Sequence, residues 1–299
     1  MFRTLCPVPR GLAARIVWLG LALYDRIKRQ AISPPKAGGT METNGAGPEL
    51  GSGEAPPMAA QGVTHTGRRS RNEDRFLIRE DLGLAIVADG FSGCPGGDHA
   101  ARLAVEAIAG CFDAGEEQTM PDLEPEQLAD GLAVATARFA IQHAHRVVRH
   151  GAGRAGLAGM CSAVAFLVVA GSKMVLAVAG CVRAYRFRIG RDGGTLEELT
   201  QDASPQPAIA YPVGGPRHDP GCVVRVDSWR PGDLYLLCTA GLHRVLGAEP
   251  IRCTLAARSS VDCAAALVGR ALHSGGADNM TVVLVGPSDA SPNPRGSVA

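Results

Sequence analysis

The chain has 299 residues, 46% of them hydrophobic, so it can bury a large core as one large domain or two small ones. The net charge of +1 gives no global attraction to nucleic acid or membranes, and an aromatic content of 4% disfavours stacking platforms for single-stranded nucleic acid. Nine cysteines without a CxxC pattern argue against a disulfide framework and for a reducing compartment. We therefore expect a cytoplasmic protein with no nucleic-acid partner.

Residues 1–32 form a basic, partly apolar segment that contains the stretch GLAARIVWLGLAL. This stretch is interrupted by Arg15 and is shorter than the roughly 20 apolar residues that span a bilayer. Three interpretations fit the segment: an extension without a targeting role, an amphipathic helix in contact with a membrane surface, or a mitochondrial presequence. Mitochondrial or membrane-associated localisation through residues 1–32 thus stays open beside the cytoplasmic expectation.

Two further segments have compositions that are typical of unstructured chain. Residues 33–60 are rich in Gly, Pro, Ser and Glu and lack apolar periodicity, which predicts a flexible linker. Residues 288–299, SDASPNPRGSVA, are predicted to form a disordered tail. The block between them, residues 61–287, is predicted to be the folded domain.

Within this block, apolar periodicity predicts strands and helices in a definite order. FLIRED-LGLAIVADG predicts two strands, and two helices follow in GDHAARLAVEAIAGCF and LEPEQLADGLAVATARFAIQHAHRVVRH. Two hairpins turn at residues 171–172 and 192–194, and CVVRVDSWRPGDLYLLC contributes two more strands. A helix that ends at a Gly-Gly pair precedes the last strand, NMTVVLVG. Runs of strands beside runs of helices predict an α+β fold built in layers.

Acidic residues occur at three places in the block where strands begin or end. Carboxylates are rare beside very apolar strands unless they are paired, cap a turn or bind a cation. Turn capping is the simpler interpretation of any one of them, whereas a cluster of oxygen ligands would suit Mg²⁺ or Mn²⁺. The three stretches are RRSRNEDR with Arg69, Glu73 and Asp74, VADGFSG with Asp89 and Gly90, and GGADNMT with Asp278 and Asn279.

Six stretches, in order from about Val63 to Val285, resemble the motifs of the PPM-type (type 2C) family of metal-dependent Ser/Thr protein phosphatases. They are GRRSRNED, VADGFSG with GGDHAA, VLAVAGCVRAYRFR, LEELTQDAS, GDLYLLCTAGL and GGADNMTVVLV. The resemblance implies a four-layer α-β-β-α sandwich of two antiparallel sheets flanked by helices. It also implies two Mg²⁺ or Mn²⁺ ions between the sheets and a metal-activated water that hydrolyses phosphoserine or phosphothreonine.

The resemblance assigns roles to individual residues of this chain. It implies phosphate binding by Arg69, support of the metals by Glu73 and Asp74, bridging of both metals by Asp89, a carbonyl ligand from Gly90 and a first-metal ligand in Asp278. The implied partner is a phosphoprotein or phosphopeptide.

The chain departs from the family pattern at three positions near the implied metals. Ala240 stands where the family has an aspartate ligand, Cys181 replaces a second aspartate, and Arg244 replaces a third. Together these changes move the site by about four charge units toward positive, which weakens divalent-cation binding. Arg244 either pairs with Asp89 or Asp278 or faces outward. The segment after Asp202 is also short where the family has a flap over the site.

These departures leave two functional interpretations. The first is a pseudophosphatase that binds or regulates a phosphoprotein, with its two expected Mg²⁺ or Mn²⁺ ions weakened or lost. The alternative is an active but weakened Mg²⁺/Mn²⁺-dependent protein Ser/Thr phosphatase, in which the remaining carboxylates still hold metal.

Overall fold

The computed structural model describes residues 57–113, 125–190, 193–200, 211–257 and 263–288. The basic segment 1–32 and the predicted tail beyond residue 288 lie outside the described residues, as do most of the predicted linker and most of the segment after Asp202. None of the helices in the described ranges has the length and apolar character that a bilayer crossing requires.

Within those ranges the chain forms ten strands, five α-helices and a short 3-10 helix at Glu80–Leu82. The strands are β1 (Met58–His65), β2 (Asp74–Arg79), β3 (Leu84–Gly90), β4 (Ser162–Ala170), β5 (Lys173–Ala179), β6 (Arg183–Arg188), β7 (Thr195–Glu198), β8 (Val223–Ser228), β9 (Asp233–Cys238) and β10 (Met280–Pro287). The α-helices are α1 (Gly97–Phe112), α2 (Pro125–Ala155), α3 (Ala240–Leu246), α4 (Ala248–Ala256) and α5 (Cys263–His273).

The strands form two five-stranded sheets in which every paired neighbour is antiparallel. The first sheet has the order β1-β10-β9-β6-β7, and the second has the order β2-β3-β4-β5-β8. The chain therefore passes from one sheet to the other several times, and neither sheet is built from one continuous part of the sequence. This distribution brings β2 and β3 of one sheet close to β9 and β10 of the other.

Both faces of each sheet are covered, because side chains alternate between the two faces along a strand. In β3, Ala85 and Val87 face the space between the sheets, where they join Leu237 of β9 in one apolar cluster. Ile86 of the same strand faces the opposite way, into the cluster formed with α1 and α2. In the other sheet, Leu236 faces α3, α4 and α5. The predicted α+β fold and its four-layer α-β-β-α sandwich are confirmed.

One boundary of the folded domain differs from the prediction. Strand β1 begins at Met58, inside the segment predicted to be linker, and it pairs with β10 along its whole length, from Met58 opposite Pro287 to His65 opposite Met280. The chain just before β1 is rich in Gly and Pro, so composition alone does not indicate that a strand begins there. Pairing with the buried strand β10 supplies the hydrogen bonds and the apolar neighbours that the local sequence does not signal.

The helix-facing core depends on Phe166, which is fully buried in β4 and lies edge-on to Phe112 of α1, with ring centroids 5.5 Å apart. Substitution Phe166→Ala is expected to lower the free energy of unfolding by about 3–5 kcal/mol, because it removes a large buried ring and leaves a cavity. Urea denaturation followed by circular dichroism measures this change. The control is Ile189→Ala, since Ile189 is 46% exposed and its loss should change the stability by less than about 0.5 kcal/mol. Equal effects of the two substitutions would contradict this account of the core.

Candidate metal and phosphate site

The predicted site residues meet at one end of the sandwich, where strands of both sheets begin or end. Asp74 starts β2 and lies directly opposite Asp89 near the end of β3. In the other sheet, Ala240 follows β9 and Asp278 precedes β10. The fold therefore brings together carboxylates that are far apart in the sequence.

Asp74 joins the two sheets through a fully buried carboxylate, which is 1% exposed. Its Oδ2 atom accepts hydrogen bonds from the hydroxyls of Thr239 and Thr281 in the other sheet, each at 2.8 Å. Its Oδ1 atom has no hydrogen-bond partner among the described residues. Burial, followed by the negative charge of Asp89, raises the pKa of Asp74 to about 7.

Asp89 lies between the sheets and contacts the position that lacks a carboxylate. Its Oδ2 atom accepts a hydrogen bond from the backbone N–H of Ala240 at 3.1 Å, and Ala240 itself is buried. Burial raises the pKa of Asp89 to about 6, although the N–H of Ala240 acts in the opposite direction. The charge of Asp278 adds to the increase, and that of Arg244 reduces it.

Arg69 and Asp278 form an ion pair at the open side of the site. The Nε atom of Arg69 lies 3.0 Å from Oδ1 of Asp278, and the two side chains are 49% and 42% exposed. The same Oδ1 atom accepts the N–H of Asn279 at 2.9 Å. The predicted phosphate-binding arginine thus contacts a predicted metal ligand and remains accessible to a ligand from solvent.

Glu73 and Gly90 are fixed by backbone contacts. The Asn279 side chain accepts the N–H of Glu73 at 2.9 Å and donates to the carbonyls of Thr66 and Arg71, so it holds the whole loop before β2. The N–H of Gly90 donates to the Glu73 carbonyl at 3.2 Å. A Cβ atom on Gly90 would lie 2.2 Å from the carbonyl oxygen of Gly97. No side chain fits there, so the backbone around the Gly90 carbonyl is closely confined.

Two of the departures from the family pattern, Cys181 and Arg244, lie close enough to Asp89 to interact with it electrostatically. Burial, followed by the charge of Asp89, raises the pKa of the half-buried Cys181 thiol to about 11, so this thiol stays protonated at neutral pH. The Cys181 carbonyl accepts a hydrogen bond from Nε2 of His243 at 3.0 Å. Arg244 is exposed and, within the described part of the chain, forms no ion pair with Asp89 or Asp278. The pairing that we considered for Arg244 is therefore not formed, although its charge still acts on Asp89.

The chemistry of the donors suits a hard divalent cation, because Glu73, Asp89, Asp278 and the Gly90 carbonyl all offer oxygen. In the ranges that the structure describes, no three His, Cys, Asp or Glu side chains converge as they would around an ion. One oxygen of Asp89 is held by an N–H group, and one oxygen of Asp278 is shared by Arg69 and Asn279.

Thr239, Thr281 and Ser162 lie at the site and were not singled out by the sequence analysis. Thr239 and Thr281 hold Asp74, and the Ser162 hydroxyl donates to the Asp89 carbonyl at 3.0 Å. Cys94 and Cys161 bring their sulfur atoms to 3.5 Å from each other beside Gly90. The available signal was a small polar residue at the end of an apolar strand, but only the pairing of the sheets shows which partner each one meets.

Comparison with known proteins agrees with this geometry. The family model described as Protein phosphatase 2C matches residues 61–201. The chain is 28% identical over 253 residues to the serine/threonine phosphatase stp of Listeria welshimeri. The aligned residues cover 76% of this chain and 95% of that protein.

Two solved structures share the fold. PppA, described as a key regulatory component of T6SS in Pseudomonas aeruginosa, is 26% identical with a TM-score of 0.60, over 78% of this chain and 99% of that one. The catalytic domain of the serine/threonine protein phosphatase PstP, in complex with two manganese ions, is 25% identical with a TM-score of 0.58, over 77% and 98% of the two chains.

The raised pKa of Asp74 predicts a pH dependence of stability in the metal-free protein. Because the pKa in the folded state is about 7 and the ordinary value is 3.8, the native state holds a proton that the unfolded state has lost within this window. The free energy of unfolding should therefore fall as the pH rises from about 4 to about 7. Substitution Asp74→Asn should make this decline shallower, since Asn can still accept both threonine hydroxyls but carries no charge.

Urea denaturation in EDTA at a series of pH values measures these slopes. The exposed Asp219→Asn serves as the control for removing a carboxylate elsewhere. If the free energy of unfolding falls with pH at the same slope in Asp74→Asn and in the unmodified protein, Asp74 does not titrate between about pH 4 and about pH 7.

Proposed function

The chain belongs to the protein phosphatase 2C family, and we propose that it is a pseudophosphatase that binds or regulates a phosphorylated protein through a weakened metal centre. The observation that carries the proposal is the contact between the backbone of Ala240 and the carboxylate of Asp89.

The first support is the geometry around Ala240. A methyl group cannot bind a cation, and the N–H of the same residue donates to Oδ2 of Asp89, which makes this oxygen less available to a cation. The backbone has little freedom to rearrange, because a Cβ atom on Gly241 would lie 2.0 Å from the carbonyl oxygen of Asn279. Position 240 is therefore held between the two sheets with no oxygen ligand on its side chain.

The second support is the charge balance. Two carboxylates, Asp74 and Asp89, have pKa values raised to about 7 and about 6 by burial and by neighbouring negative charges. In a metal-binding relative such repulsion is relieved by the cation, since two positive ions neutralise the cluster. In this chain part of the relief comes from the N–H of Ala240 and the charge of Arg244, both of which lower the pKa of Asp89. These groups compete with the role of a metal.

Binding of a phosphorylated partner is supported by Arg69. Its guanidinium is accessible, and so is Asp278, its ion-pair partner among the described residues. An exposed ion pair of this kind stabilises by less than about 1 kcal/mol. A phosphate group can therefore replace Asp278 at little cost and accept two parallel hydrogen bonds from the guanidinium. The serine/threonine phosphatases that the chain resembles act on phosphoproteins, which makes a phosphoserine or phosphothreonine protein the partner that we propose.

The alternative, an active but weakened Mg²⁺- or Mn²⁺-dependent phosphatase, rests on the oxygen ligands that remain. These ligands lie at the same end of the sandwich and comprise Glu73, Asp89, Asp278 and the Gly90 carbonyl. The catalytic domain of PstP, which has a similar fold, was solved in complex with two manganese ions. In this alternative the ions would still supply the activated water, and Arg69 would hold the substrate phosphate.

Metal binding and turnover separate the two functions. We expect the unmodified full chain to show no Mn²⁺-dependent hydrolysis of a phosphothreonine peptide and only weak binding of Mn²⁺ by calorimetry. Ala240→Asp should bind Mn²⁺ at least about tenfold more tightly, because it restores a charged oxygen ligand. Ala240→Asn is the matched control, since it has nearly the same shape and an oxygen but no charge, and it should gain much less. Hydrolysis by the unmodified chain that is abolished by EDTA would establish the alternative.

Phosphopeptide binding without metal tests the binding function itself. In EDTA, a fluorescent phosphothreonine peptide should bind more tightly than its unphosphorylated form, and Arg69→Ala should weaken this binding by about tenfold or more. The control is Arg79→Ala, since Arg79 ends β2 on the opposite side of the sheet and pairs with Asp81 and Asp113. Equal affinities for the two peptides, or equal effects of the two substitutions, would contradict phosphate binding by Arg69.

A further inference from the structure

We propose that Cys94 and Cys161 form a covalent modification site, in which a peroxide oxidises the two thiols to a reversible disulfide beside Asp89 and Gly90. The inference does not depend on whether the protein turns over a phosphorylated substrate, because it concerns the bond between two side chains and can be measured without any activity.

The two thiols are already neighbours. Their sulfur atoms lie 3.5 Å apart, and both cysteines are free. A disulfide bond is about 2.05 Å long, so the sulfur atoms have to approach each other by only about 1.5 Å. Rotation about the side-chain bonds, together with a small movement of the loop that carries Cys94, provides such a shift.

The backbone holds both residues in this relation. The N–H of Phe91 donates to the Cys161 carbonyl at 3.2 Å, and the N–H of Cys94 donates to the Phe91 carbonyl at 3.0 Å. Phe91 therefore connects the loop of Cys94 directly to the chain at Cys161, which lies one residue before β4. The pair stays together because of these local contacts as well as because of side-chain packing.

The two cysteines differ in accessibility, which gives them different roles. Cys94 is half-buried in the loop between β3 and α1, whereas Cys161 is 6% exposed. Peroxide therefore reaches Cys94 first. The Cys94 thiol releases its proton, the thiolate attacks one peroxide oxygen, and the O–O bond breaks to give sulfenic acid and hydroxide when hydrogen peroxide is the oxidant. The hydroxide takes up the proton that Cys94 released, so one water is formed.

The second step closes the bond. The Cys161 sulfur attacks the sulfur of the Cys94 sulfenic acid, the S–O bond breaks, and the departing hydroxide takes up the proton that Cys161 releases. The balance is two thiols and one hydrogen peroxide to one disulfide and two waters. A thiol reductant reverses the reaction by exchange.

The disulfide would tie the loop of Cys94 to the start of β4. The same loop leads from Gly90 to Gly97, whose ideal Cβ position is 3.0 Å from an oxygen of Glu73. Because α1 and α2 both lie between Cys94 and Cys161 in the sequence, the cross-link closes a long loop of the chain. Such a cross-link reduces the conformational entropy of the unfolded chain and thereby stabilises the fold.

Peptide mapping of the full chain tests the proposal directly. The reduced protein is treated with hydrogen peroxide in EDTA, alkylated and digested with trypsin. Cleavage separates the three thiols around Asp89, because Cys94 falls in peptide 80–102, Cys161 in 155–173 and Cys181 in 174–183. We expect peptides 80–102 and 155–173 to be linked, with the loss of two hydrogen atoms, and to separate again in dithiothreitol. The melting temperature should rise by at least about 3 °C on oxidation.

Variants separate this bond from general oxidation. Cys94→Ser should abolish both the linked peptide and the temperature shift, whereas Cys253→Ser should keep both, although Cys253 is the exposed thiol among the described cysteines. The mapping of the unmodified chain stands even if a variant folds poorly. The proposal is overturned if Cys94 and Cys161 remain reduced while Cys253 is oxidised, if Cys94 is overoxidised without a link, or if Cys161 is linked to Cys181 instead.

Discussion

The buried carboxylate of Asp74 is the interaction on which the arrangement of the site depends. It belongs to one sheet and accepts two hydroxyl hydrogen bonds from the other, so it fixes the distance and the angle between the strands that carry the remaining site residues. Thr281 also contacts the hydroxyl of Thr64, whose oxygen accepts a hydrogen bond from Asn72 just before β2. The hydrogen bonds to Asp74 are buried, and those further along this chain of polar groups reach the surface at Thr64, so the network extends from the core to the loop before β2.

The same carboxylate also bears on the position of Ala240. Asp74, Thr239 and Thr281 link the two sheets directly through hydrogen bonds. The backbone N–H of Ala240 then satisfies Asp89, which would otherwise be a partly buried and unpaired acid. Under the proposed function, the site keeps its order without a carboxylate at position 240, and recognition of a phosphate is separable from its hydrolysis.

The sequence predicts much of this fold because the signals are local. The nearly continuous apolar runs in β3, β4 and β5 and the helical spacing in α1 arise from neighbouring residues, and the predicted layers agree with the structure. The order of six motifs also predicted which carboxylates to examine. The network behind them could not be predicted in the same way, because Thr239 and Asp74 are 165 residues apart and Thr281 and Asp74 are 207 residues apart. Such contacts depend on which strands pair, and β1 in particular gives almost no signal before its partner β10 is known.

The pairing of β1 with β10 also determines where the chain enters and leaves the domain. Met58 lies opposite Pro287, and the N–H of Ser288 donates to the Pro57 carbonyl at 2.9 Å, so both ends of the folded domain emerge at one corner. The site lies at the other end of these strands, where His65 is opposite Met280, about 23 Å away for seven steps of about 3.3 Å. An affinity tag, a fluorophore or a solid support attached directly at Pro57 or Ser288 would therefore leave the site facing the solution.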